Sequence, residues 1–245
     1  MKSHSSGRRN GVKGMRKSFA VESRQGVDQV TLLWDACVAV GYAGRNQESV
    51  AAHVRELAEL GVPVPSRIPS MYWIDPERIT DGSELFVVGE ETSGEVEFFL
   101  ASDDAGRWYV ALASDHTDRK LEAVSVAKAK QICTKVVSST VWPLDELEDH
   151  WDDLILESRV ANGNEPFSEY QRGRTGLLLS PETLLALAKE DLPYEAPRVA
   201  LFSGTIPLSA KATRFASRWE LRLSDPVLGR ELRGAYRVRV LPDRN

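Results

Sequence analysis

The stretch Ser93–Lys120, SGEVEFFLASDDAGRWYVALASDHTDRK, constrains this chain more than any other. Two largely apolar runs flank DDAG, so EVEFFLAS and RWYVALAS are expected to pair as an antiparallel hairpin. Glu95 then falls roughly opposite Ser114, beside Asp115. Side chains two apart on a strand share a face, so Glu95 and Glu97 project together. Carboxylates crowded at one end of a hairpin repel each other unless a cation, a proton or an arginine compensates. The cluster reads either as a solvated strand face or as a seat for a hard cation, and the density of acids favours the cation.

Composition limits the alternatives. A chain of 245 residues, 42% hydrophobic, can build one large domain or a compact body with a small appendage. Its net charge of -5 argues against a surface devoted to nucleic acid, whose phosphates demand a basic patch. No run is apolar and long enough to span a bilayer. Cys37 and Cys133 are too few and too isolated for a disulfide framework or a zinc knuckle, so a cytoplasmic location is expected. Residues 1–20, which include His4, are basic and rich in Ser and Gly but lack the apolar core of a secretory signal; they read as a disordered arm.

Along the chain the pattern is strand-rich. QVTLLWDACVAVGYAG is strand material ending in glycines, and NQESVAAHVRELAEL is a helix with Asn46 as its N-cap. That helix carries Val50, Val54, Leu57 and Leu60 as an apolar stripe. His53 lies within the stripe, three residues from Glu56, so the two can hydrogen-bond as a base and its orienting carboxylate. A packed core histidine is the competing reading of the same spacing. Pro63, Pro65 and Pro69 then force an extended connector, on which the helix can hang as a lid. ELFVVG, RVALFSGT, RWELRLSDPVLG and RELRGAYRVRVLP are expected strands. TDRKLEAVSVAKAK, DELEDHWDDL and SPETLLALAKE are expected helices, the last capped by Ser180. His116 is expected to point away from the acids as a supporting side chain, and His150 to lie on the surface.

These pieces, in this order, resemble the fumarylacetoacetate hydrolase superfamily from about Gly41 to Pro242. The carriers are GRNQESVAAHVRE, PVPSRIPSMYW, GEVEF, Asp115 and Arg119 in SDHTDR, Lys130 in AKAKQICTK, VANGNEPFSEYQRG, and the loop SGTIP from Ser203 to Pro207. The style of these motifs is similar to that of a bacterial branch of the superfamily. Two extra residues separate GRN from His53, and the interval from Asp115 to Lys130 is short, leaving Lys128 and Lys135 as rivals for the lysine position. Glu122 stands where many members carry Gln.

The resemblance implies an α+β fold, a mixed β-sandwich roll with a small N-terminal lid section (21–70) before the catalytic domain (71–245). It implies that Glu95, Glu97 and Asp115 hold Mg²⁺, or Mn²⁺ or Ca²⁺, and that Arg119, Gly204 and Thr205 bind a small keto-acid substrate. His53 with Glu56 would activate water, and Lys130 would offset developing negative charge. The implied enzyme is a homodimeric, metal-dependent hydrolase cleaving a carbon-carbon bond of an acylpyruvate-like substrate. The same site in a decarboxylase, isomerase or hydratase of a small keto acid is the alternative, and a non-catalytic metal-binding relative is a third reading.

Overall fold

The computed structural model describes residues 14–59, 64–209 and 212–244, with the side chains of His53 and Leu57 outside the described set. The chain opens with strands β1 (Met15–Ser23), β2 (Gly26–Trp34) and β3 (Ala36–Gly41), then helix α1 (Gln47–Glu59). Next come β4 (Ser70–Ile74), β5 (Ile79–Thr80), β6 (Glu84–Val88) and β7 (Thr92–Ser93). The acidic hairpin is β8 (Val96–Ser102) with β9 (Trp108–Ser114), followed by β10 (Thr117–Asp118) and the short helices α2 (Arg119–Glu122) and α3 (Val126–Ile132). The remainder is β11 (Lys135–Pro143), β12 (Ile155–Ala161), β13 (Ser168–Arg174), α4 (Pro181–Glu190), β14 (Val199–Phe202), β15 (Arg218–Asp225) and β16 (Arg230–Leu241).

Strands dominate and helices are few, a mixed α+β architecture. Among the described residues, nine strands form one sheet in the order β2-β1-β11-β9-β8-β14-β3-β4, with β5 on β11. A further pairing of β2 with β8, Leu33 opposite Ser102, curls that sheet back on itself. Five strands form a second sheet, β13-β12-β15-β16-β6, and β7 pairs with β10.

Both faces of the hairpin are therefore buried. Val96, Phe98 and Leu100 of β8 meet Leu156, Trp219, Leu221 and Tyr236 of the second sheet in one core. Phe99 and Ala101 face the inside of the curl with Ala111, Ala113, Ala39, Cys37 and Ala200. Aromatic side chains, Phe19, Trp34, Phe99, Tyr109 and Phe202, fill that side, and the alanines and Cys37 leave room for them. Glu97 lies on that same face of β8, and only 1% of it reaches solvent.

The helices anchor where their caps stand. Asn46 Oδ1 accepts from the backbone N–H of Glu48 and Ser49, both at 3.1 Å, and so caps α1. Ser180 caps α4, which buries Leu184, Leu185 and Ala188. Several expectations are corrected. Residues 15–20 are not a disordered arm but most of β1, which pairs along its length with β2; residues 1–13, with His4, lie outside the described residues. DELEDHWDDL forms two 3-10 turns, Leu144–Glu146 and Glu148–Asp153, rather than an α-helix. His150 within it is buried, its Nε2 3.1 Å from Asp225 Oδ1, because the turn folds its ring inward. TDRKLEAVSVAKAK is split into α2 and α3, each capped by its own side chain, Asp118 and Ser125. Pro63 and Leu60 lie outside the described residues. No helix among the described residues is long and apolar enough to cross a membrane.

Candidate metal centre

Hairpin register decides where the acids meet. The expected pairing of Glu95 with Ser114 is off by one residue: Val96 is opposite Ser114 and Glu97 opposite Ala113. The loop keeps Arg107 out of the ladder. Asp103 accepts from Gly106, and Gly106 takes φ +85, a left-handed step that adds one residue to the turn. Glu95 then stands opposite Asp115, whose N–H donates to the Glu95 carbonyl at 3.0 Å. A one-residue slip reverses which face a side chain takes. With this register Glu95, Glu97 and Asp115 share one face, and a ligand oxygen from each lies within 4.8 Å of the others.

Each acid is fixed by a different part of the chain. Glu97 Oε2 accepts the Gly204 N–H at 3.0 Å. Gly204 has φ +79, and a Cβ there would lie 2.8 Å from the Val40 carbonyl oxygen, so only glycine lets this loop approach so closely. Asp115 carries two ammonium groups, Lys130 at 2.6 Å on Oδ2 and Lys135 at 2.6 Å on Oδ1, and accepts from Thr117 at 3.1 Å. Lys130 reaches in from α3 and also touches Glu95 at 3.1 Å. Lys135 opens β11, is fully buried, and donates to the His116 carbonyl at 2.9 Å. Glu95, the most exposed of the three at 21%, also meets Arg119 at 3.3 Å.

The three proposed substrate-binding groups are already engaged. Arg119 donates to Ser93 Oγ at 2.6 Å and to Glu122 at 2.7 Å. Glu122, the departure from the family pattern, is thus an arginine partner, and it lies 3.6 Å from Lys130. Thr205 Oγ1 donates to the Val96 carbonyl at 2.8 Å and accepts from Gln171 at 2.7 Å. The backbone of α1 carries His53, whose side chain is outside the described residues, and Glu56 lies on the exposed side of that helix.

Electrostatics separate the acids. Burial, then Asp115 and Glu95, pushes the Glu97 carboxyl well above the usual carboxylate range. Burial acts the same way on Asp115, but Lys130 and Lys135 prevail and hold it well below that range. Burial is likewise outweighed at Glu95 by Arg119 and Lys130, which lower it. Lys130 is held above its ordinary value because Asp115, Glu95 and Glu122 outweigh its burial. His116 is neutral: burial, then Arg119 and Lys135, takes it to about 3. Its ring nitrogens contact Tyr236 at 3.1 Å and Thr92 at 3.0 Å, behind the acids rather than among them.

This arrangement fits a hard divalent cation. The donors are all carboxylate oxygens, and carboxylates accept several contacts at once. Counted with Glu122, four carboxylates meet only three cations, Lys130, Lys135 and Arg119, so the cluster is one positive charge short, in line with the raised Glu97.

The family model described as protein of unknown function, DUF2848, matches residues 40–236, the span from β3 through β16 that carries every part of this site. The chain belongs to that family. No curated protein matches the sequence. Among solved structures, this chain resembles Cg1458, with a TM-score of 0.60 at 10% identity over 93% of this chain and 100% of the other. It also resembles the apo form of 2-keto-3-deoxy-D-arabinonate dehydratase, with a TM-score of 0.62 at 15% identity over 84% of this chain and 73% of the other. The same dehydratase complexed with magnesium and 2,5-dioxopentanoate gives 0.60 at 15% identity, over 85% and 74%. At such identities the likeness is one of fold.

Two further residues, Lys135 and Gln171, support the triad. Lys135 was legible only as a rival to Lys130, although a lysine opening the run KVV is a charge placed against an apolar strand. Gln171 lies in the resembling stretch VANGNEPFSEYQRG, with nothing there to mark its role; it is buried and ties Val96, Ser158, Thr205 and Ile206 together behind the triad.

Proposed function

We propose that this chain is a divalent-cation-dependent enzyme of the fumarylacetoacetate hydrolase superfamily that eliminates water from a small 2-keto acid. The observation that carries the reading is the convergence of Glu95, Glu97 and Asp115 within 4.8 Å, beside Lys130, on the fold of a keto-acid dehydratase. Glu95, Glu97 and Asp115 would hold Mg²⁺, with Mn²⁺ and Ca²⁺ as alternatives of the same hard class. When bound, the cation supplies Lewis-acid stabilisation of an enolate.

The chain's own groups do the rest. Lys135 keeps Asp115 ionised, and the Gly204 N–H fixes the rotamer of Glu97. Lys130, held charged by its carboxylates, offsets negative charge developing on the substrate. His53, oriented by Glu56 on α1, is the proposed proton acceptor, and α1 is the proposed lid that excludes water. Arg119 and the hydroxyl of Thr205 reach a substrate carboxylate by giving up a present partner, Glu122 for the first and Val96 for the second.

Cleavage of a carbon-carbon bond in an acylpyruvate-like substrate is the second reading, favoured by the sequence resemblance; the structural neighbours favour elimination, so it is placed first. The test is incubation with Mg²⁺ and, in turn, a 2-keto-3-deoxy sugar acid, an acylpyruvate and oxaloacetate, followed by proton NMR. Loss of water to a semialdehyde supports the dehydratase. Release of pyruvate and a carboxylic acid from the acylpyruvate moves the chain to the hydrolases, and there His53→Ala should abolish turnover with Mg²⁺ binding intact; pyruvate and carbon dioxide from oxaloacetate make it a decarboxylase. Mg²⁺ binding without turnover of any keto acid would make it a non-catalytic relative. A homodimer is the proposed assembly, read by light scattering on a sizing column.

A further inference from the structure

The outer face of the five-stranded sheet, away from the metal centre, carries an unresolved like-charge pair. Arg218 of β15 and Arg237 of β16 are direct partners across the antiparallel ladder. Like charges placed so, with Cβ atoms about 5 Å apart, destabilise a sheet unless something offsets them. Arg222 and Arg233 form a second such pair, but Glu157 takes Arg222 at 2.7 Å and Glu231 takes Arg233 at 2.8 Å. Arg218 and Arg237 have no such relief: neither meets a carboxylate among the described residues. Arg218 donates to the Glu165 carbonyl and lies over the Phe167 ring at 4.7 Å, while its buried Nε finds no acceptor.

A pocket of about 500 Å³ is lined by Arg218 and Arg237 together with Phe167 and Ser83, with the small side chain of Ala235 on the sheet as its floor. Glu84 and Glu220 border it but turn to other arginines, Arg239 at 2.8 Å and Arg159 at 3.8 Å. The next rung, Trp219 opposite Tyr236, points inward, and the two rings stack at 6.0 Å, which makes the floor rigid.

We propose that this pocket binds an organic phosphate monoester, its dianionic head between Arg218 and Arg237 and a flat apolar body against Phe167. Two arginines lining one pocket offer donors for a phosphate's three terminal oxygens, which a single carboxylate cannot fill. The volume lies within the range of small-ligand sites, about 300–1,000 Å³. Bound phosphate would supply the negative charge that the Arg218–Arg237 pair lacks.

The test is calorimetric titration of metal-free protein with phenyl phosphate, inorganic phosphate and benzoate at low salt. Phenyl phosphate should bind most tightly, with Arg237→Gln and Arg218→Gln each weakening it about tenfold or more and Arg233→Gln changing it about twofold at most. Benzoate binding as tightly would overturn the phosphate head, and inorganic phosphate binding as tightly would overturn the apolar body. Equal affinity in wild type and Arg237→Gln would overturn the site itself. Without ligand, Arg237→Gln should melt at or above the wild-type temperature, since it removes one of two opposed charges; a clearly lower temperature would make Arg237 a structural partner and refute the proposal.

Discussion

Replacing Glu97 by glutamine separates the structural role of that side chain from its role as a ligand. Glu97 is 1% exposed, and burial with Asp115 and Glu95 nearby pushes its carboxyl well above the ordinary value of 4.5, which favours the protonated form in metal-free protein. Glutamine has nearly the same shape, is neutral, and still accepts the Gly204 N–H. The metal-free variant should therefore lie within about 1 kcal/mol of wild type. Asp115→Asn is the contrast: it leaves Lys130 and the fully buried Lys135 without their shared partner, at a cost of about 3–5 kcal/mol. Adding Mg²⁺ at a hundred times its Kd should stabilise wild type by about 2.7 kcal/mol. For a chain of this length that is roughly 5–11 °C in Tm, and Glu97→Gln should lose it. The pH dependence follows from the same group. A carboxyl raised in the folded state binds its proton more tightly there than in the unfolded chain, so its contribution to stability is complete below about 4.5 and is lost as pH rises through the folded value. Metal-free wild type should thus lose stability with rising pH in that window, and Glu97→Gln should be flatter. Glu95 and Asp115 are lowered, so their contribution is lost on the acid side, as pH falls through their folded values, and does not overlap. Differential scanning calorimetry with and without Mg²⁺ reads both effects. A Tm shift with Mg²⁺ that survives in Glu97→Gln, or a metal-free variant several kcal/mol less stable than wild type, refutes the reasoning.

Lys135→Met removes a fully buried ammonium that holds Asp115 and the His116 carbonyl; the expected loss is about 2–4 kcal/mol in urea unfolding, with Mg²⁺ affinity weakened as Asp115 becomes less firmly ionised. Gly204→Ala forces a Cβ to within 2.8 Å of the Val40 oxygen at φ +79, which should cost about 1–3 kcal/mol and displace Glu97, seen as weaker Mg²⁺ binding in a titration. Asn46→Ala deletes the cap of the exposed helix α1, and hydrogen exchange should show the amides of its first turn opening by about 1 kcal/mol more readily, with global unfolding nearly unchanged.

Short-range chemistry in the sequence determined a good deal of this protein. Alternating and continuous apolar runs marked β2, β3, β8, β9, β15 and β16, and the cap residues Asn46 and Ser180 marked the starts of α1 and α4, because period and capping act over a few residues. The two-residue spacing of Glu95 and Glu97 placed both on one face before any partner was known. That Asp115 lies near them was legible from the hairpin as well; the tertiary structure alone decided the register that sets it directly opposite Glu95. A turn one residue longer than DDAG suggested moved the register by one, and register depends on a loop conformation that a composition of turn residues does not specify. It also decided burial: β8 lies between the second sheet and the inside of its own curled sheet, so a glutamate that reads as solvated on an isolated hairpin is enclosed. His150, expected on the surface and found buried against Asp225, follows the same rule. Lys130 and Lys135 come to Asp115 from a helix and a strand that share no local pattern with the hairpin, because the charges that set an acid's ionisation act through space while sequence signals act along the chain.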